Sequence, residues 1–487
     1  MTTPEYDIVV IGGGLSGLSC AYTLLKEGYS VCVLEQGHIV GGAFQSFNRR
    51  GARFDTGFHY VGGVRKGEMM YPLISYFGLD NLPWKRLSDE CFLELSVRGR
   101  MFRLRNGFDN FRNDLVKEFP DEADGIDAVI AVLRDISDHM YDSLALDWNI
   151  IDSDWFTTSA YEFLQEHIKS QLLRDVLCAG AFTTELTETL PLYSFAQSLA
   201  SFIQGSYRMS GGGQRIADTL ASEIEALGGT IITCTKVSSF ALSSDGRIEA
   251  AICGRKRFTA KQFVSTIHPT LTIGLIPETP FVRKIYRKRM AALKNSVGMF
   301  TTHLLIRKDT IPYRNCMLAI HGSDDLWHNS FEAQDPVREM LVNFNLQERE
   351  EPFVRDIDLL TPMSWDAVKE WADTVRGHRP ESYEEFKQKK ARESIALAEQ
   401  YIPQLEENIE RIWTSTPLTY RDYTGTVEGS AFGVRKSSKN LMGTMLSPLT
   451  PIDNLFISGQ SMTLHGMLGT MMSSIRTCSI ICKKRIL

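Results

Sequence analysis

The chain has 487 residues, of which 43% are hydrophobic and 23% charged, and its net charge is −6. This length predicts two or three globular domains, and the acidic balance argues against a nucleic-acid partner. Nine cysteines are scattered without a CxxC pair, which argues against a disulfide framework and a metal site and favours a reducing cytoplasm. Neither a signal peptide nor an uninterrupted apolar run long enough to span a membrane is expected.

The first 35 residues have the pattern of a dinucleotide-binding βαβ unit. Residues 6–11, YDIVVI, predict a buried strand that leads into a G-x-G-x-x-G motif made by Gly12, Gly14 and Gly17. Apolar residues at helical spacing follow, and a second predicted strand ends in Glu35. The glycines allow a tight turn, close approach to a pyrophosphate and close helix packing, while the helix N-terminus favours phosphate charge. We expect Glu35 to accept hydrogen bonds from the adenosine ribose.

The segments after Glu35 give this motif a more specific context. They contain a glycine doublet, Gly41–Gly42, and the sequence FDTGFHYVGG at residues 54–63. The doublet resembles that of FAD-binding amine oxidases and phytoene desaturases, in which its backbone lies against the FAD phosphates. FDTGFHY is very similar to a segment of the retinol saturase and carotenoid isomerase arm of this superfamily. Many members have arginine after the doublet, but this chain has Ala43, so phosphate neutralisation there is in doubt.

Two further blocks resemble the same superfamily. Residues 211–269 predict a helix, a strand, a hairpin and another strand, with Val237 at the place where relatives contact the adenine through the backbone. Residues 454–481 predict a strand, a turn at Gly459–Gln460 and a final helix from Met467. The resemblance implies that the N-terminus of this helix points at the flavin and stabilises negative charge on the reduced ring.

Motif and resemblance together imply a single FAD site without a metal. Gly57 would let the backbone approach the isoalloxazine ring, and Phe58 and Tyr60 would shape its walls. The residues expected to hold FAD are Gly12, Gly14, Leu15, Ser16, Gly17, Glu35, Gln36, Gly41, Gly42, Ala43, Gly57, Phe58, His59, Val237, Gly459, Gly466, Met467 and Leu468.

Three residues are candidates for catalytic proton transfer. His59 and His465 lie in segments expected to border the flavin, where a neutral histidine could donate a hydrogen bond or deliver a proton. Tyr60 is a further candidate donor. Each has a structural alternative: His59 would fix the glycine turn, and Tyr60 would only wall the ring. The sequence reveals no Ser-His-Asp arrangement.

The blocks predict an α/β protein with two domains. A discontinuous, Rossmann-like FAD-binding domain takes residues 1–75, 200–275 and 430–487. An α+β substrate-binding domain takes residues 76–199 and 276–429. Within it, hydrophobic spacing predicts helices over 105–200, strands at 299–309 and 339–345, and a long helix over 381–411 that breaks near Pro403.

Three segments leave alternatives open. Residues 190–209 are aromatic and weakly polar, which fits either the lining of an apolar channel or plain core. Residues 414–433 fit a position near the flavin or a connecting loop. Residues 281–294 form a basic amphipathic pattern that fits peripheral contact with an anionic membrane or a solvated surface helix.

The resemblance implies an FAD-dependent oxidoreductase that acts on C=C bonds of an apolar polyene or isoprenoid lipid. Saturation, desaturation and isomerisation all fit. One alternative is a flavin oxidase or dehydrogenase of another apolar substrate, such as an amine or a steroid-like ring; another is a flavoprotein with structural FAD. No second dinucleotide motif is evident, so the electron donor or acceptor is expected to be external and is not defined. A cytoplasmic protein, peripheral to the membrane at most, is expected.

Overall fold

The computed structural model describes residues 5–147, 149, 153–179, 184–347 and 351–487. Two seven-stranded sheets dominate this part of the chain, accompanied by a three-stranded sheet and a two-stranded hairpin. The strands are β1 (Tyr6–Ile11), β2 (Val31–Leu34), β3 (Ser46–Arg49), β4 (Ala52–Asp55), β5 (Val61–Gly62), β6 (Trp84–Arg86), β7 (Leu93–Val97), β8 (Arg100–Leu104), β9 (Ser206–Met209), β10 (Thr230–Ile232), β11 (Ser239–Leu242), β12 (Ile248–Cys253), β13 (Lys256–Ser265), β14 (Gly298–Ile306), β15 (Met317–His321), β16 (Glu339–Phe344), β17 (Asp356–Met363), β18 (Ile409–Ser415) and β19 (Leu455–Ile457).

Helices surround both large sheets. They are α1 (Leu15–Lys26), α2 (Tyr71–Tyr76), α3 (Phe108–Glu118), α4 (Ala123–Asp138), α5 (Asp154–Thr157), α6 (Ala160–His167), α7 (Gln171–Ala179), α8 (Leu192–Gln204), α9 (Gln214–Ala226), α10 (Pro269–Gly274), α11 (Lys284–Ala291), α12 (Glu381–Glu399), α13 (Pro417–Thr424), α14 (Leu441–Thr444) and α15 (Gly466–Cys482). The predicted helical stretch over 105–200 is present in its described residues, and its residues 148, 150–152 and 180–183 lie outside the described part. Within the described residues, no helix combines the length and apolar character needed to cross a bilayer.

The first large sheet has the order β10-β2-β1-β13-β12-β11, and β19 also pairs with β13. Its β10, β2, β1, β13 and β19 strands are parallel, and β11 and β12 form an antiparallel extension. All four residues of β2 and the last four of β1 are buried, as expected for parallel strands covered on both faces. Three separate stretches of the chain therefore build one Rossmann-like sheet, and the predicted α/β fold class is confirmed.

The second large sheet has the order β18-β14-β17-β16-β15-β7-β8 and is antiparallel except between β15 and β7. Side chains alternate across it. One face packs Leu304, Val342 and Leu359 against α12 residues such as Ile395, whereas the other face presents His303 and Asp358 toward the β3–β4 hairpin. This second face positions most of the buried polar groups described below.

The prediction of a helix over 381–411 is wrong in its last part. Helix α12 ends at Glu399, a turn with Pro403 follows, and residues from Ile409 onward form strand β18. The segment pairs with β14 from Thr301 to Ile306, so long-range pairing overrides its local helical spacing.

Candidate active site

The G-x-G-x-x-G loop adopts a geometry that only glycine satisfies at two positions. Gly12 has φ of +101°, and a Cβ added to Gly17 would lie 1.9 Å from the Gly12 carbonyl oxygen. Thr266, at the end of β13, donates its hydroxyl to Ile11 O at 2.9 Å and thereby braces the turn. Helix α1 begins after Gly14 without a side-chain cap, so amides of its first turn remain available to an anion.

The glycine doublet packs directly against this loop. Gly41 donates its amide to Gly13 O at 2.8 Å, and Gly41 has φ of +120°. A Cβ on Gly42 would lie 3.3 Å from Gly14 Cα. The two glycine segments therefore form one cradle whose backbone amides are not shielded by side chains.

Glu35 has a role within the protein itself. Its carboxylate accepts hydrogen bonds from the amides of Gly13, at 2.7 Å, and Gly37, at 2.6 Å. These bonds tie the end of β2 to the glycine loop. Each carboxylate oxygen keeps a second lone pair, so a ribose hydroxyl can still donate to it. Gln36 is exposed beside Gly425, and Val237 is buried in the core of the first sheet.

The C-terminal helix α15 begins next to the start of α1, and the first residues of both helices line the same cavity. Its first residues, Gly466 to Leu468, follow His465, whose side chain makes no capping bond to the helix. Ser16 on α1 hydrogen-bonds to Ser458 at 3.0 Å and to Ser474 at 3.1 Å, which fastens the two helices together. Two helix N-termini thus face one cavity, and their partial positive charges add there.

The cavity between these segments collects most of the predicted site residues. The predicted residues that line it are Gly14, Leu15, Ser16, Gly41, Ala43, Gly57, Phe58, Tyr60, Gly459, His465, Gly466, Met467 and Leu468. The predicted residues outside its lining are Gly12, Gly17, Glu35, Gln36, Gly42, His59 and Val237. The lining residues not predicted individually are Phe44, Val61, Gly62, Met70, Gln197, Ser198, Ser201, Phe202, Thr266, Thr424, Thr426, Ala431, Phe432, Gln460 and Thr470.

Helix α8 supplies one wall of the cavity. Its residues Gln197, Ser198, Ser201 and Phe202 line the cavity, and the ring of Phe202 stacks on Tyr60 with centroids 4.5 Å apart. The helix is buried on its remaining faces as well, so the segment 190–209 is both core and cavity wall. Its aromatic, weakly polar composition was the signal in the sequence.

The segment 414–433 also contributes to the wall of this cavity. Thr424, Thr426, Ala431 and Phe432 line the cavity, and Phe432 packs on His465 with ring centroids 5.0 Å apart. Nothing in the local sequence singles out these four residues, because their position depends on where β18 and α13 deliver the chain.

His59 points away from this cavity. It lines a second, polar cavity with Asp55, Arg208 and Asn343, while Phe58 lines both cavities. Both ring nitrogens of His59 are buried without a hydrogen-bond partner among the described residues. Burial lowers the pKa of His59 to about 4, so the ring is neutral at physiological pH.

Buried carboxyl groups lie around the polar cavity. Burial raises the pKa of Asp55 to about 7, and burial together with the neighbouring Asp358 raises the pKa of Asp356 to about 8. Arg208, which is 2% exposed, donates to Asn343 Oδ1 at 3.2 Å and to carbonyl and hydroxyl oxygens rather than to these carboxyls. Protonated forms of Asp55, which lines the cavity, and of Asp356, which bonds to the lining residue Gln347, therefore persist near neutral pH.

The residues present fit FAD. Adding a Cβ to Gly42 would narrow the cradle against Gly14, and the uncapped starts of α1 and α15 offer amides to a pyrophosphate and to a negatively charged ring. Phe44, Tyr60 and Phe202 supply aromatic walls against which a flavin ring can pack. Glu35 lies at the end of β2, the position from which an acid reaches a ribose.

Comparisons with known proteins agree with this geometry. A family model described as flavin containing amine oxidoreductase matches residues 15–482. All-trans-retinol 13,14-reductase of Homo sapiens is 23% identical over 99% of this chain and 86% of its own. Prolycopene isomerase 1, chloroplastic, of an Oncidium hybrid cultivar is 23% identical over 94% of this chain and 80% of its own.

Solved structures share the fold. Cyclohexylamine oxidase from Brevibacterium oxydans superposes with a TM-score of 0.63 at 16% identity and covers 99% of both chains. A fatty acid isomerase from P. acnes superposes with a TM-score of 0.60 at 14% identity. The family match extends over nearly the whole chain, and the predicted cofactor is confirmed. The chain is an FAD-dependent oxidoreductase that belongs to the flavin-containing amine oxidoreductase family.

Proposed function

We propose that this enzyme adds, removes or shifts hydrogen at a conjugated C=C bond of an apolar polyene or isoprenoid lipid. The observation that supports this most is the single cavity in which two helix N-termini meet aromatic walls without a charged side chain in its lining. Relatives named for retinol and prolycopene cover most of the chain, which favours a polyene over an amine.

Bound FAD supplies hydride transfer, and the chain's own residues position the lipid and exclude water. The ring pair of Tyr60 and Phe202 and the facing Phe432 and Phe58 would hold the apolar chain against the flavin. The amides at the start of α15 would stabilise negative charge on the reduced ring.

We propose Tyr60 and His465 as the side chains that donate a proton to the reacting carbon. Both line the cavity, whereas His59 lies on the far side of Phe58. We propose that His59 has an indirect role: it would position the backbone that carries Phe58 and Tyr60, both of which line the flavin cavity. We propose the same residues that the sequence predicts as the FAD contacts. Among them, Gly12 and Gly17 would act by shaping the glycine loop, since they do not line the cavity.

We also propose the division of labour expected from the sequence. Residues 1–75, 200–275 and 430–487 would bind FAD, and residues 76–199 and 276–429 would bind the lipid. The proposed boundary at residue 200 falls within α8, whose residues from 197 to 202 contribute to the cavity wall. The two proposed domains therefore both contribute to this cavity.

The test is an anaerobic reaction with each redox form of the purified holoenzyme. Dithionite-reduced enzyme is mixed with all-trans-retinol or prolycopene, and lipids are resolved by chromatography while flavin absorbance is followed. A saturase reoxidises its flavin and adds two hydrogens to the lipid, whereas an isomerase changes the lipid without net flavin oxidation. A desaturase shows lipid-dependent flavin reduction from the oxidised form.

Two outcomes would overturn the proposal. Bleaching of the oxidised flavin by cyclohexylamine, with every lipid unchanged, would establish an amine oxidase. A flavin that responds to no lipid and no amine would point to structural FAD. The variant Phe202→Ala serves as a matched probe, because it widens the proposed lipid-binding cavity without removing a polar group. We expect it to raise KM more than it lowers kcat.

We further propose that α11 touches an anionic membrane surface. Within the amphipathic segment 281–294, Val282 and Met290 are buried in the core, so these two residues cannot be the contact. Ile285 is instead 71% exposed, and Lys284 and Lys288 are exposed on the same helix. An exposed isoleucine among cations suits the interface of anionic lipids, where each basic residue near the surface contributes about 1 kcal/mol.

Vesicle flotation tests this contact. With phosphatidylcholine vesicles containing phosphatidylserine, we expect the native protein to float and the double variant Lys284→Glu/Lys288→Glu to remain at the bottom. The control is Lys369→Glu/Lys389→Glu, which reverses two exposed lysines elsewhere. Equal flotation of both variants, or none by the native protein, would remove the membrane role.

A further inference from the structure

Three strands of the second sheet bring a serine, a histidine and an aspartate into one hydrogen-bonded line. His303 Nε2 lies 3.0 Å from Ser415 Oγ, and His303 Nδ1 lies 2.6 Å from Asp358 Oδ1. The residues come from β14, β18 and β17, and His303 faces Asp358 directly across the antiparallel pair. They are separated by 55 and 112 positions along the chain, so local sequence gives no sign of them.

The surroundings fix the orientation of the imidazole. Asp358 is fully buried, and its other oxygen accepts a hydrogen bond from Asn345 Nδ2 at 3.0 Å. The rings of Phe47 and Phe54 lie edge-on to His303, with centroids 5.2 and 5.3 Å away. With Nδ1–H donating to Asp358, Nε2 is left to accept the serine proton, which is the arrangement that activates a serine nucleophile.

The serine and the histidine border the largest of the cavities described. Its volume is about 890 Å³, within the usual range for small-molecule sites. Phe47 and Trp413 give it apolar walls near His303, Ile395 lines the part of the cavity on the other face of the sheet, and the exposed Tyr423 also lines it. A long apolar chain could therefore lie in this cavity with a polar carbonyl at Ser415.

We propose that Ser415, His303 and Asp358 form an acyl-transfer site that hydrolyses esters with a long apolar acyl or alcohol group. Ser415 Oγ bonds to the ester carbonyl carbon while its proton moves to His303 Nε2. The bond from that carbon to the alkoxy oxygen then breaks, and the proton passes from His303 to the leaving alcohol. A water molecule hydrolyses the acyl-serine by the same route, which releases the acid and restores the serine.

In the proposed site, the oxyanion donor would come from the start of α13. This helix begins two residues after Ser415, and its capping box uses the amides of Thr416 and Thr419, while Pro417 has none. In the first turn of α13, this leaves the Leu418 amide as the donor available to an oxyanion. A single amide is fewer than most acyl-transfer sites have, so we expect slow turnover and an acyl-enzyme that accumulates.

This site is separate from the flavin cavity and does not depend on the flavin reaction. Gln45 and Thr56 line the ester cavity, whereas Phe44 and Gly57 line the flavin cavity, so the two adjoin along the same backbone. A purely structural role for the three residues would instead leave Ser415 unreactive, because a buried hydrogen-bonded triad can simply join strands.

The test is labelling of the holoenzyme with a fluorophosphonate–rhodamine probe, followed by peptide mapping. We expect one adduct on Ser415, and mapping makes this result independent of any variant. No adduct under conditions that label trypsin, or an adduct only on another residue, would overturn the proposal. The proposed lipid reaction is unaffected by either outcome, since it uses different residues.

Variants give a second readout. We expect Ser415→Ala and His303→Gln to lower labelling and p-nitrophenyl octanoate hydrolysis at least 20-fold while flavin absorbance is retained. The control is Ser394→Ala, which removes a buried serine on α12 whose hydroxyl donates to the Lys390 carbonyl. Faster hydrolysis of octanoate than of acetate is expected from the apolar walls, and equal loss in the Ser394 variant would contradict the assignment.

Discussion

At the scale of single residues, the pH response of the protein depends on buried carboxyl groups. Asp356 has its pKa raised to about 8, chiefly by burial and also by Asp358, against an unfolded value of 3.8. Its contribution to stability is complete below about pH 4 and is lost as pH rises to 8, because the unfolded chain releases the proton first. We expect Asp356→Asn to flatten this decline, with a gain on the order of a few kcal/mol at pH 8 in urea unfolding.

His59 should affect the stability of the fold only at acidic pH. Burial lowers its pKa to about 4, so its contribution is present above pH 6.5 and is lost as pH falls through 4. We expect His59→Gln to lessen acid destabilisation by up to about 3 kcal/mol. The same variant should leave the rate profile between pH 6 and 8 unchanged, because the native ring is already neutral there. A lower rate together with a changed pH–rate profile in that range would instead assign His59 a direct catalytic proton.

At the scale of elements, one lysine holds the turn in front of α15. Lys436 Nζ donates to the carbonyls of Thr444, Ser461 and Met462 at 3.0, 2.7 and 2.6 Å. Lys436→Met keeps a side chain of similar length but removes this donor. Ser461 O and Thr444 O lose their bond to the ammonium, each loss worth about 1–3 kcal/mol where the acceptor is buried, while Met462 O still accepts the Leu446 amide at 3.2 Å. We expect a lower melting temperature and faster release of FAD, followed by flavin fluorescence. Lys439→Met, at an exposed ion pair with Glu162, should change neither, and equal effects of both would refute the tether.

Elements whose pattern is local could be predicted from the sequence, and those decided by distant pairing could not. The strand–glycine–helix unit at 6–35 is predicted because turn, helix start and acid are all encoded within it. The helix prediction over 381–411 fails at residues 409–411, the first residues of β18, since only pairing with β14 makes them extended. The orientation of the His59 side chain could not be predicted either. It depends on how the backbone turns near Gly57, and the neighbouring residues do not determine that turn.

At the scale of the whole molecule, Arg208 joins the segment beside the flavin cavity to the second large sheet. It lies on β9, which pairs with β5 directly after Tyr60, and it donates to Asn343 Oδ1, Tyr313 Oη and Cys316 O. These acceptors lie more than 100 positions away in the chain, so the bond network couples parts that the sequence separates.

Replacing Arg208 by lysine tests this coupling, because lysine keeps the charge but lacks the planar fork that reaches several acceptors at once. We expect Arg208→Lys to lower the free energy of unfolding by about 2–4 kcal/mol, since buried acceptors lose donors and a compact ammonium is poorly solvated there. Urea unfolding followed by both tryptophan and flavin fluorescence would show FAD leaving before the second sheet unfolds. Arg215→Lys, an exposed arginine bonded to the Ser210 carbonyl, is the control and should match the native protein. Coincident transitions at native stability in the Arg208 variant would mean that the two sheets are held together by apolar packing alone.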